Sequence, residues 1–425
     1  MITKSIGDLA EVTKLAGFEY SKYFEYRDDG EIIALRGLNV KNGNLDLTNV
    51  KRIEKSISEK LPRSKLVKDD ILLTYTGTLG EVALIKENDK FHLAPNVCLI
   101  RPKEIDPYLL FSYMRTRNFK KSLDSLTVGS TQKTIPMKNI RQIKISYTEE
   151  NIQNVTNFSR YIDKKIELNQ KMNETLEEIA KTLFKSWFID FDPVRAKAEG
   201  RSTGLSKEIS SLFPDSFEDS ELGEIPKGWK AGSLNEIIVR SKEKIKDTNS
   251  RVLAAVSSGE LVLSEEYFSK QVFSKDISKY IKVEQYDFAY NPSRINIGSI
   301  GMNEYDFIGA VSPVYIVFKP LTHWHLFVSQ FIRLKSTNSK INQLSSGSVR
   351  QSLSFDDFAS IPITIPTDVT NMKFNEIYES LRRKIIQNQE ECEILTSLRD
   401  TLLPKLISGE LKIPDAKNLV EEAGV

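Results

Sequence analysis

The chain has 425 residues, a length that favours two or three domains over one. Hydrophobic residues make up 40% and charged residues 28%, so the chain can fill sizeable cores and global disorder is excluded. Its 60 basic and 58 acidic residues leave a formal net charge of +2. This balance excludes no nucleic-acid partner, because a DNA-binding protein can be neutral overall and basic on one face.

The compartment is predicted from what the sequence lacks. Cys98 and Cys392 are far apart and imply no disulfide framework, which fits a reduced compartment. The N-terminal residues lack the apolar core of a signal peptide, and no stretch approaches the length of a membrane span. We therefore expect a cytoplasmic protein that makes no membrane contact.

The two halves of the chain match each other in order, at an offset between 216 and 219 residues. No single pair of segments is persuasive, but a conserved order at a near-constant offset is not expected from chance similarity between two mixed domains. The sequence therefore predicts an internal repeat. The matched pairs are Gly43–Thr48 with Gly259–Ser264, Asp70–Thr74 with Asp287–Asn291, Ala94–Ile100 with Ala310–Ile316, Gly129–Ile135 with Gly347–Leu353, and Lys165–Gln170 with Lys384–Gln389.

Each half begins with a predicted domain of mixed strands and helices. Short apolar runs bounded by Gly, Asn and Pro are typical of strands and turns, and helical stretches lie between them. Predicted strands are Ile71–Tyr75, Val82–Ile85 and Val97–Ile100 in the first half and Val314–Phe318 in the second; predicted helical stretches are Pro107–Thr116 and Trp324–Leu334.

A long helix is predicted to close each half. Residues at alternating steps of three and four form one stripe, the pattern of helices that pair. We expect the first helix to end near Asp192-Pro193 and the second near Gly409, with Pro404 disturbing its last turns. The stripes are Ile162, Ile166, Asn169, Asn173, Leu176, Ala180, Leu183 and Trp187, and then Ile385, Asn388, Cys392, Leu395, Leu398, Leu402 and Leu406.

The repeat predicts a pseudo-twofold α+β architecture: two similar mixed domains separated by two long helices that form an antiparallel coiled coil. The segment between the halves, rich in Gly, Pro, Ser and charge, is expected to be an exposed connector. The predicted boundaries are a first recognition domain at 1–150, a long helix at 151–192, a linker at 193–226, a second recognition domain at 227–368, a second long helix at 369–410 and a tail at 411–425.

An antiparallel helix pair would separate the two domains. The stretch from Ile162 to Phe188 would be about 40 Å long at about 1.5 Å per residue. One turn of DNA is about 34–36 Å, the spacing between half-sites of symmetric readers. The pair could thus act as a ruler between two DNA words, whereas a parallel pair would place both domains at one end.

Four segments together resemble the specificity subunits of Type I restriction–modification enzymes. They occur in the family's order and span nearly the whole chain. The N-terminus departs from the pattern, because it lacks a lead-in like Gly223–Trp229. The segments are Asp70–Gly80, similar to part of a recognition domain; Leu168–Val194, similar to the central conserved region; Leu222–Trp229, similar to the lead-in to a recognition domain; and Leu402–Leu411, similar to the distal conserved region.

This resemblance implies a non-catalytic subunit that reads double-stranded DNA with a bipartite, asymmetric target. The helices would set the gap and dock two methyltransferase subunits, which bind S-adenosylmethionine themselves, so no cofactor is expected on this chain. A motor–nuclease subunit can join for cleavage. Because Asn291–Arg294 stands where the first domain has Tyr75–Thr78, the two domains should read different words.

The repeated Gly-led loop is the first candidate for DNA contact, and the segment after Pro292 is the second. Gln can pair with adenine, Arg or Lys with guanine, and hydroxyls with phosphate. The alternative is an ordinary loop whose polar residues are only solvated. The candidates are Ser130, Gln132 and Lys133 in the first half and Ser348, Arg350, Gln351, Arg294 and Asn296 in the second.

Two aromatic residues near the end of the first helix, Phe184 and Phe188, lie off the stripe that contains Leu183 and Trp187. Their position predicts a surface for a methyltransferase partner, whereas the stripe residues should pack on the other helix. Packing of all four is the alternative that the sequence leaves open.

Two other function classes compete with DNA recognition. A DNA amino-methyltransferase would carry Asn or Asp followed by Pro-Pro and an aromatic residue, but Asn291-Pro292-Ser293-Arg294 lacks the second proline and the aromatic. His92, His323 and His325 have no Cys or carboxylate spacing typical of a metal site, so no metal is expected. A scaffold without DNA is compatible with the repeat and the helices alone.

Overall fold

The computed structural model describes residues 2–129, 133–148, 152–246, 250–268, 270–345 and 352–424. The chain forms two compact units, which we call unit 1 and unit 2. Each joins one predicted recognition domain to parts of both long helices, so the predicted domain boundaries do not coincide with the compact units. Unit 1 is Met1–Met172 with Gln387–Val425, and unit 2 is Asn173–Ile386.

The first half of the chain contains short strands and helices, as its brief apolar runs predict. The strands are β1 (Ile2–Ser5), β2 (Ala10–Lys14), β3 (Ile32–Leu35), β4 (Val40–Lys41), β5 (Asn44–Leu45), β6 (Lys51–Ile53), β7 (Ile71–Thr74), β8 (Val82–Leu84), β9 (Phe91–Leu93), β10 (Val97–Pro102) and β11 (Lys144–Tyr147). The helices are α1 (Ile6–Leu9), α2 (Gly17–Tyr23), α3 (Lys55–Lys60), α4 (Pro107–Met114), α5 (Arg117–Ser125) and α6 (Met137–Gln142).

A long helix, α7 (Ile152–Phe188), follows, and the second half repeats the plan. Its strands are β12 (Phe217–Ser220), β13 (Gly223–Pro226), β14 (Lys230–Ser233), β15 (Ile238–Ser241), β16 (Leu253–Val256), β17 (Glu260–Leu263), β18 (Ile281–Val283), β19 (Phe288–Tyr290), β20 (Ile300–Met302), β21 (Gly309–Val311), β22 (Ile316–Pro320) and β23 (Pro362–Ile365). Its helices are α8 (Asp192–Ala198), α9 (Lys207–Ser210), α10 (Ser264–Tyr267), α11 (His325–Phe331), α12 (Lys335–Leu344), α13 (Phe355–Ala359), the long α14 (Asp368–Ser408) and α15 (Ile413–Glu422).

The internal repeat is visible in the sheets. Unit 1 contains a four-stranded sheet of order β2-β10-β7-β8, and unit 2 contains one of order β15-β22-β19-β20. All neighbours in both sheets are antiparallel. Ile100 lies opposite Ile71 in unit 1, and Phe318 lies opposite Phe288 in unit 2. The pairs therefore occupy the same position in the two sheets, at the offset that the sequence predicts.

The two long helices pack together in each unit, and α7 uses its predicted stripe in both, whereas α14 uses its predicted stripe in unit 1. In unit 1, Ile162 and Leu395 are fully buried in a core that also contains the sheet residue Ile100. In unit 2, Trp187 packs against Phe374 with ring centroids 6.3 Å apart. In unit 1 a residue from the first half of α7 packs with one from the second half of α14, and in unit 2 a residue at the end of α7 packs with one near the start of α14. The packing within each unit is therefore antiparallel.

The helix ends follow local signals, with one difference. Helix α7 begins at Ile152, one residue after the predicted boundary at 151, and ends at Phe188, before the expected stop near Asp192-Pro193. Helix α14 continues through Pro404 and ends at Ser408, where Gly409 has a φ of +78°. Glycine adopts this left-handed conformation without strain, so it is a common helix stop.

Two segments that were expected to be peripheral pack into cores. Between the halves, Val194 and Phe213 are buried in unit 2, so the expected exposed connector is wrong for these residues. In the tail, α15 buries Ala416 and Val420 in unit 1. The apolar side chains of these segments are few and widely spaced in sequence, so the average composition does not indicate that they are buried. No helix within the described residues has the length and apolarity needed to cross a bilayer.

Candidate nucleic-acid interface

In unit 1, the loop after strand β7 is held against the Gly-led loop of the repeat. Thr134 exchanges two backbone hydrogen bonds of 2.9 Å with Val128. The Thr134 hydroxyl donates to the Tyr75 carbonyl at 3.0 Å and lies 3.0 Å from the Thr76 hydroxyl. Lys133 is exposed beside this junction and makes no ion pair with the part of the chain that the structure describes.

The same junction occurs in unit 2. The loop after β19 is closed by backbone hydrogen bonds between its own residues. The Pro292 carbonyl of this loop also accepts a hydrogen bond from the Leu353 amide at 3.0 Å. The Tyr290 hydroxyl donates to the Leu353 carbonyl at 3.3 Å. Arg294 is exposed on this loop, and Asn296 is half-buried. The two candidate segments of unit 2 therefore meet at Leu353.

Five of the eight predicted DNA-contacting residues lie outside the described residues, so only three are placed. Lys133, Arg294 and Asn296 each lie on or beside the loop after the matching sheet strand. Their contact with DNA stays a prediction. The undescribed residues are Ser130, Gln132, Ser348, Arg350 and Gln351.

A short basic helix packs beside this loop in each unit, a feature that the sequence reasoning missed. Helix α5 approaches Gly80 through Leu123, and it carries three cations and one carboxylate. Helix α12 packs on the turn Ile295–Ile297 and carries two cations and no carboxylate. The excess of basic over acidic residues in both segments was a usable signal. The cations are Arg117, Lys120 and Lys121 on α5 and Lys335 and Lys340 on α12.

A buried aspartate stabilises the start of the strand that leads to each loop. In unit 1, Asp70 accepts the Val67 amide at 2.8 Å, and its side chain is 1% exposed. Both carboxylate oxygens accept from the Arg101 guanidinium at 2.7 Å. This bidentate geometry is strong and directional. The start of β7 is therefore fixed by charge as well as by apolar burial.

The matching Asp287 of unit 2 is paired less well. It accepts the Glu284 amide at 2.9 Å, and its side chain is 7% exposed. Lys319 lies 3.7 Å from this carboxylate but only 2.7 Å from that of Glu284. Burial therefore dominates and raises the pKa of Asp287 to about 6.

A buried ionic cluster joins the sheet domain of unit 1 to both long helices. Asp163 of α7 accepts hydrogen bonds from Tyr108 at 2.5 Å, Arg115 at 2.6 Å and Arg399 of α14 at 2.9 Å. Burial opposes ionisation, but Arg115 and Arg399 outweigh it and hold the pKa of Asp163 below its ordinary value. The cluster fixes the recognition domain on the helices.

Unit 2 uses the opposite charges at the matching place. Arg382 of α14 lies 219 residues after Asp163 and donates to Glu304 at 2.9 Å. The side chains are 23% and 48% exposed, so this pair is more solvated than the cluster in unit 1. The long helices therefore contribute a negative charge to the attachment of the domain in unit 1 and a positive charge in unit 2.

The prediction that Phe184 and Phe188 face a partner is wrong. Both are buried, at 1% and 2% exposure. Each packs against Phe327 of α11, with ring centroids 5.2 and 5.3 Å apart, and both contact Phe374. Near its C-terminal end α7 is covered by α11 as well as by α14, so residues off the pairing stripe are also buried.

No group of three or more His, Cys, Asp or Glu side chains within the described ranges could hold a metal ion. Each unit presents a hydrogen-bonded loop beside a basic helix, features that suit DNA recognition. Residues 1–178 match a family model described as the Type I restriction modification DNA specificity domain. This part of the chain, less than half of its length, is therefore similar to a DNA specificity domain.

Relatives of known name extend this match along the chain. It is 25% identical to the Type I restriction enzyme MjaIX specificity subunit of Methanocaldococcus jannaschii, over 88% of this chain and 85% of that protein. It is 26% identical to the HindI specificity subunit of Haemophilus influenzae, over 96% of this chain and 98% of that protein. Over most of its length the chain is therefore similar to specificity subunits of Type I restriction–modification systems.

Among solved structures, the chain is similar to the S subunit of a Type-I restriction-modification system from M. genitalium. The TM-score is 0.49 and the sequence identity 16%, and the match covers 96% of both chains.

Proposed function

We propose that each unit of this DNA specificity subunit reads one half of a bipartite, asymmetric double-stranded target, and that the chain does no chemistry of its own. The observation that supports this most is the repeated junction of two loops beside a basic helix. The scaffold is the same in both units, whereas the loop residues differ. Base-edge contacts from such loops supply the word, and cations on the helix supply salt-sensitive affinity for phosphate.

The first test is a methylome of the host with and without this gene, with the partner methyltransferase expressed in both. We expect adenine methylation to disappear at one bipartite motif when the gene is deleted. An unchanged methylome would contradict the proposal. Binding of S-adenosylmethionine by the isolated chain would favour an enzyme instead, since we expect that cofactor only on the methyltransferase.

The long helices are proposed to set the gap between the two words. The polar contacts between them are specific: Asn169 donates to Glu391 at 2.8 Å, and Lys165 pairs with Glu391 at 2.6 Å. Buried polar residues of this kind select one register between paired helices. Inserting one helical turn near Asn173 is expected to widen the gap and leave both words intact; an unchanged gap would refute this role.

The methyltransferase subunits are proposed to dock on a second apolar line of α7. Its members each precede a position of the pairing stripe by one residue, so they lie about 100° around the helix from it. Leu168 is 58% exposed, Met172 37% and Ile179 46%. An exposed apolar line on a paired helix is typical of a surface covered by a partner.

This docking surface can be tested with Leu168→Glu combined with Met172→Glu. We expect the double variant to fold, because both side chains are exposed, and to lose the methyltransferase in co-purification. Gln170→Glu is the matched control, since it adds a negative charge at an exposed polar position between them. Normal co-purification of the double variant would place the partner elsewhere. The motor–nuclease subunit is expected to join only the assembled complex.

A further inference from the structure

Two neighbouring side chains on the unit 2 loop, Arg294 and Ile297, are presented together. The Ile297 amide donates to the Arg294 carbonyl at 3.1 Å, which is the hydrogen bond of a 3-10 turn. Arg294 is the N-cap of this turn and Ile297 is its last residue, so the two lie at most about 6 Å apart along its axis. Between them Ile295 is buried at 1% exposure and anchors the turn in the core.

The loop that carries this pair is rigid. The Asn291 amide donates to the Ser299 carbonyl at 3.0 Å, and the Ser299 amide donates to the Arg294 carbonyl at 3.2 Å. Gly298 has a φ of +89°, and a Cβ there would lie 2.5 Å from the Ser257 carbonyl oxygen. No other residue fits this place, so the loop is preorganised rather than formed on binding.

The chemistry of the pair is complementary. The Arg294 guanidinium makes no hydrogen bond or ion pair with any described residue, and its donors are therefore available. Ile297 is 58% exposed, although it adjoins the basic helix α12. A single exposed isoleucine would need no explanation. An exposed isoleucine one 3-10 turn from an unpaired guanidinium, on a rigid loop, is suited to a ligand that offers acceptors and a methyl group side by side.

We infer that Arg294 and Ile297 read a guanine and a thymine within two base pairs of each other in the half-site of unit 2. Guanine presents two major-groove acceptors to arginine, and thymine presents its C5 methyl to an apolar side chain. Successive bases are about 3.4 Å apart, so about 6 Å spans at most two steps. This inference rests on the proposed function and adds Ile297 as a specificity-determining residue.

The test uses the complex of this chain with its methyltransferase and synthetic duplexes of the methylated motif. In one series, deoxyuridine replaces thymine at each position and removes only the methyl group; in another, 7-deazaguanine removes one guanine acceptor. We expect one thymine replacement to weaken wild-type binding about fourfold and one guanine replacement to weaken it about fivefold. A half-site without neighbouring G·C and A·T pairs would overturn the inference.

The variants assign each effect to a side chain. Ile297→Ala should lose the sensitivity to deoxyuridine and keep that to 7-deazaguanine, and Arg294→Gln should do the reverse. Ile308→Ala is the matched control, because Ile308 is 47% exposed in the same unit but lies off the loop, and it should keep both sensitivities. Both loop variants change exposed side chains, so they should fold.

Other outcomes are distinguishable. If Ile297→Ala stays sensitive to deoxyuridine, the assignment of Ile297 is wrong. If it lowers binding equally on all duplexes, Ile297 contacts a protein partner, and the inference is also overturned. If the wild-type complex does not prefer its motif to scrambled DNA, the proposed function itself fails.

Discussion

The two units share one scaffold but differ at three matched places. In unit 1, the buried Asp70 has a bidentate arginine, whereas Asp287 of unit 2 has a lysine 3.7 Å away. Asp163 attaches one domain through a negative charge on the helix, whereas Arg382 attaches the other through a positive one. The loop after β7 carries Thr and Gly in unit 1, whereas the matching loop after β19 carries Arg and Ile in unit 2.

These differences show which parts of the repeat could diverge. The apolar positions of the sheets and helices stay matched, because packing requires shape and volume at each of them. Charges and loop residues have diverged, because a charge pair works with either sign and a loop need only be held at its ends. The recognition surface is thus free to vary on a constant core.

The largest expected effect is on recognition itself. Exchanging Glu31–Leu126 for the matching segment of another specificity subunit should replace one half of the methylated motif completely and leave the other half unchanged. The reason is that unit 1 has its own core and loops. Single-molecule sequencing of the methylome measures both halves at once. A change in both words would contradict modular reading.

The next effect concerns the attachment of the domains. Asp163→Asn should destabilise unit 1 by about 3–5 kcal/mol, because Arg115 and Arg399 would stay buried without a full countercharge. Hydrogen exchange of amides in α4 and β10 measures this. Arg382→Gln is the comparison in unit 2, where the pair is more exposed and the loss should be under about 1 kcal/mol. Equal losses would refute the contrast.

A third prediction is that the matched aspartates respond oppositely to amidation at neutral pH. Asp70→Asn should destabilise unit 1 by about 1–3 kcal/mol, because it breaks a buried charge pair. Asp287→Asn should stabilise unit 2 by up to about 3 kcal/mol, because the neutral amide still accepts the Glu284 amide and is less costly to bury. Urea unfolding measures unit 2 by fluorescence, since Trp187, Trp229 and Trp324 all lie in it.

The stability of unit 2 should depend on pH through Asp287. Its pKa is raised above the ordinary value of an aspartate, to about 6, so the folded state holds the proton more tightly than the unfolded state. The contribution of protonated Asp287 to the stability of unit 2 is complete below about pH 4, and it is lost as the pH rises through about 6. Asp287→Asn should remove this dependence from the tryptophan-monitored unfolding of unit 2. Persistence of the same slope in the variant would assign it to another group.

The smallest effect is expected on salt-dependent affinity. Lys120→Gln combined with Lys121→Gln should lower the slope of log affinity against log salt by about 2 if both contact phosphate. The motif should not change, because phosphates carry no sequence information. Lys335→Gln with Lys340→Gln should act alike in unit 2. The control is Lys417→Gln on α15. An equal change of slope in the control would contradict phosphate contact by the basic helices.

Local sequence signals determined much of the molecule. The period of apolar residues predicted the two pairing stripes, because a helix repeats every 3.6 residues wherever it lies. Gly409 marked a helix end for a similarly local reason. The repeat predicted that the strands containing Ile71 and Phe288 would occupy the same place, and the sheets confirm it. The loops expected to bind DNA were identified from the same repeat.

Tertiary structure alone decided which side chains are covered and which are free. Phe184 is buried because α11, far along the chain, covers it, and Val194 is buried although its neighbours in sequence suit a connector. Arg294 has no partner among the described residues, and Ile297 is exposed, because the turn between them is anchored through Ile295. Burial and charge pairing depend on segments that are distant in sequence, and a local pattern carries no information about them.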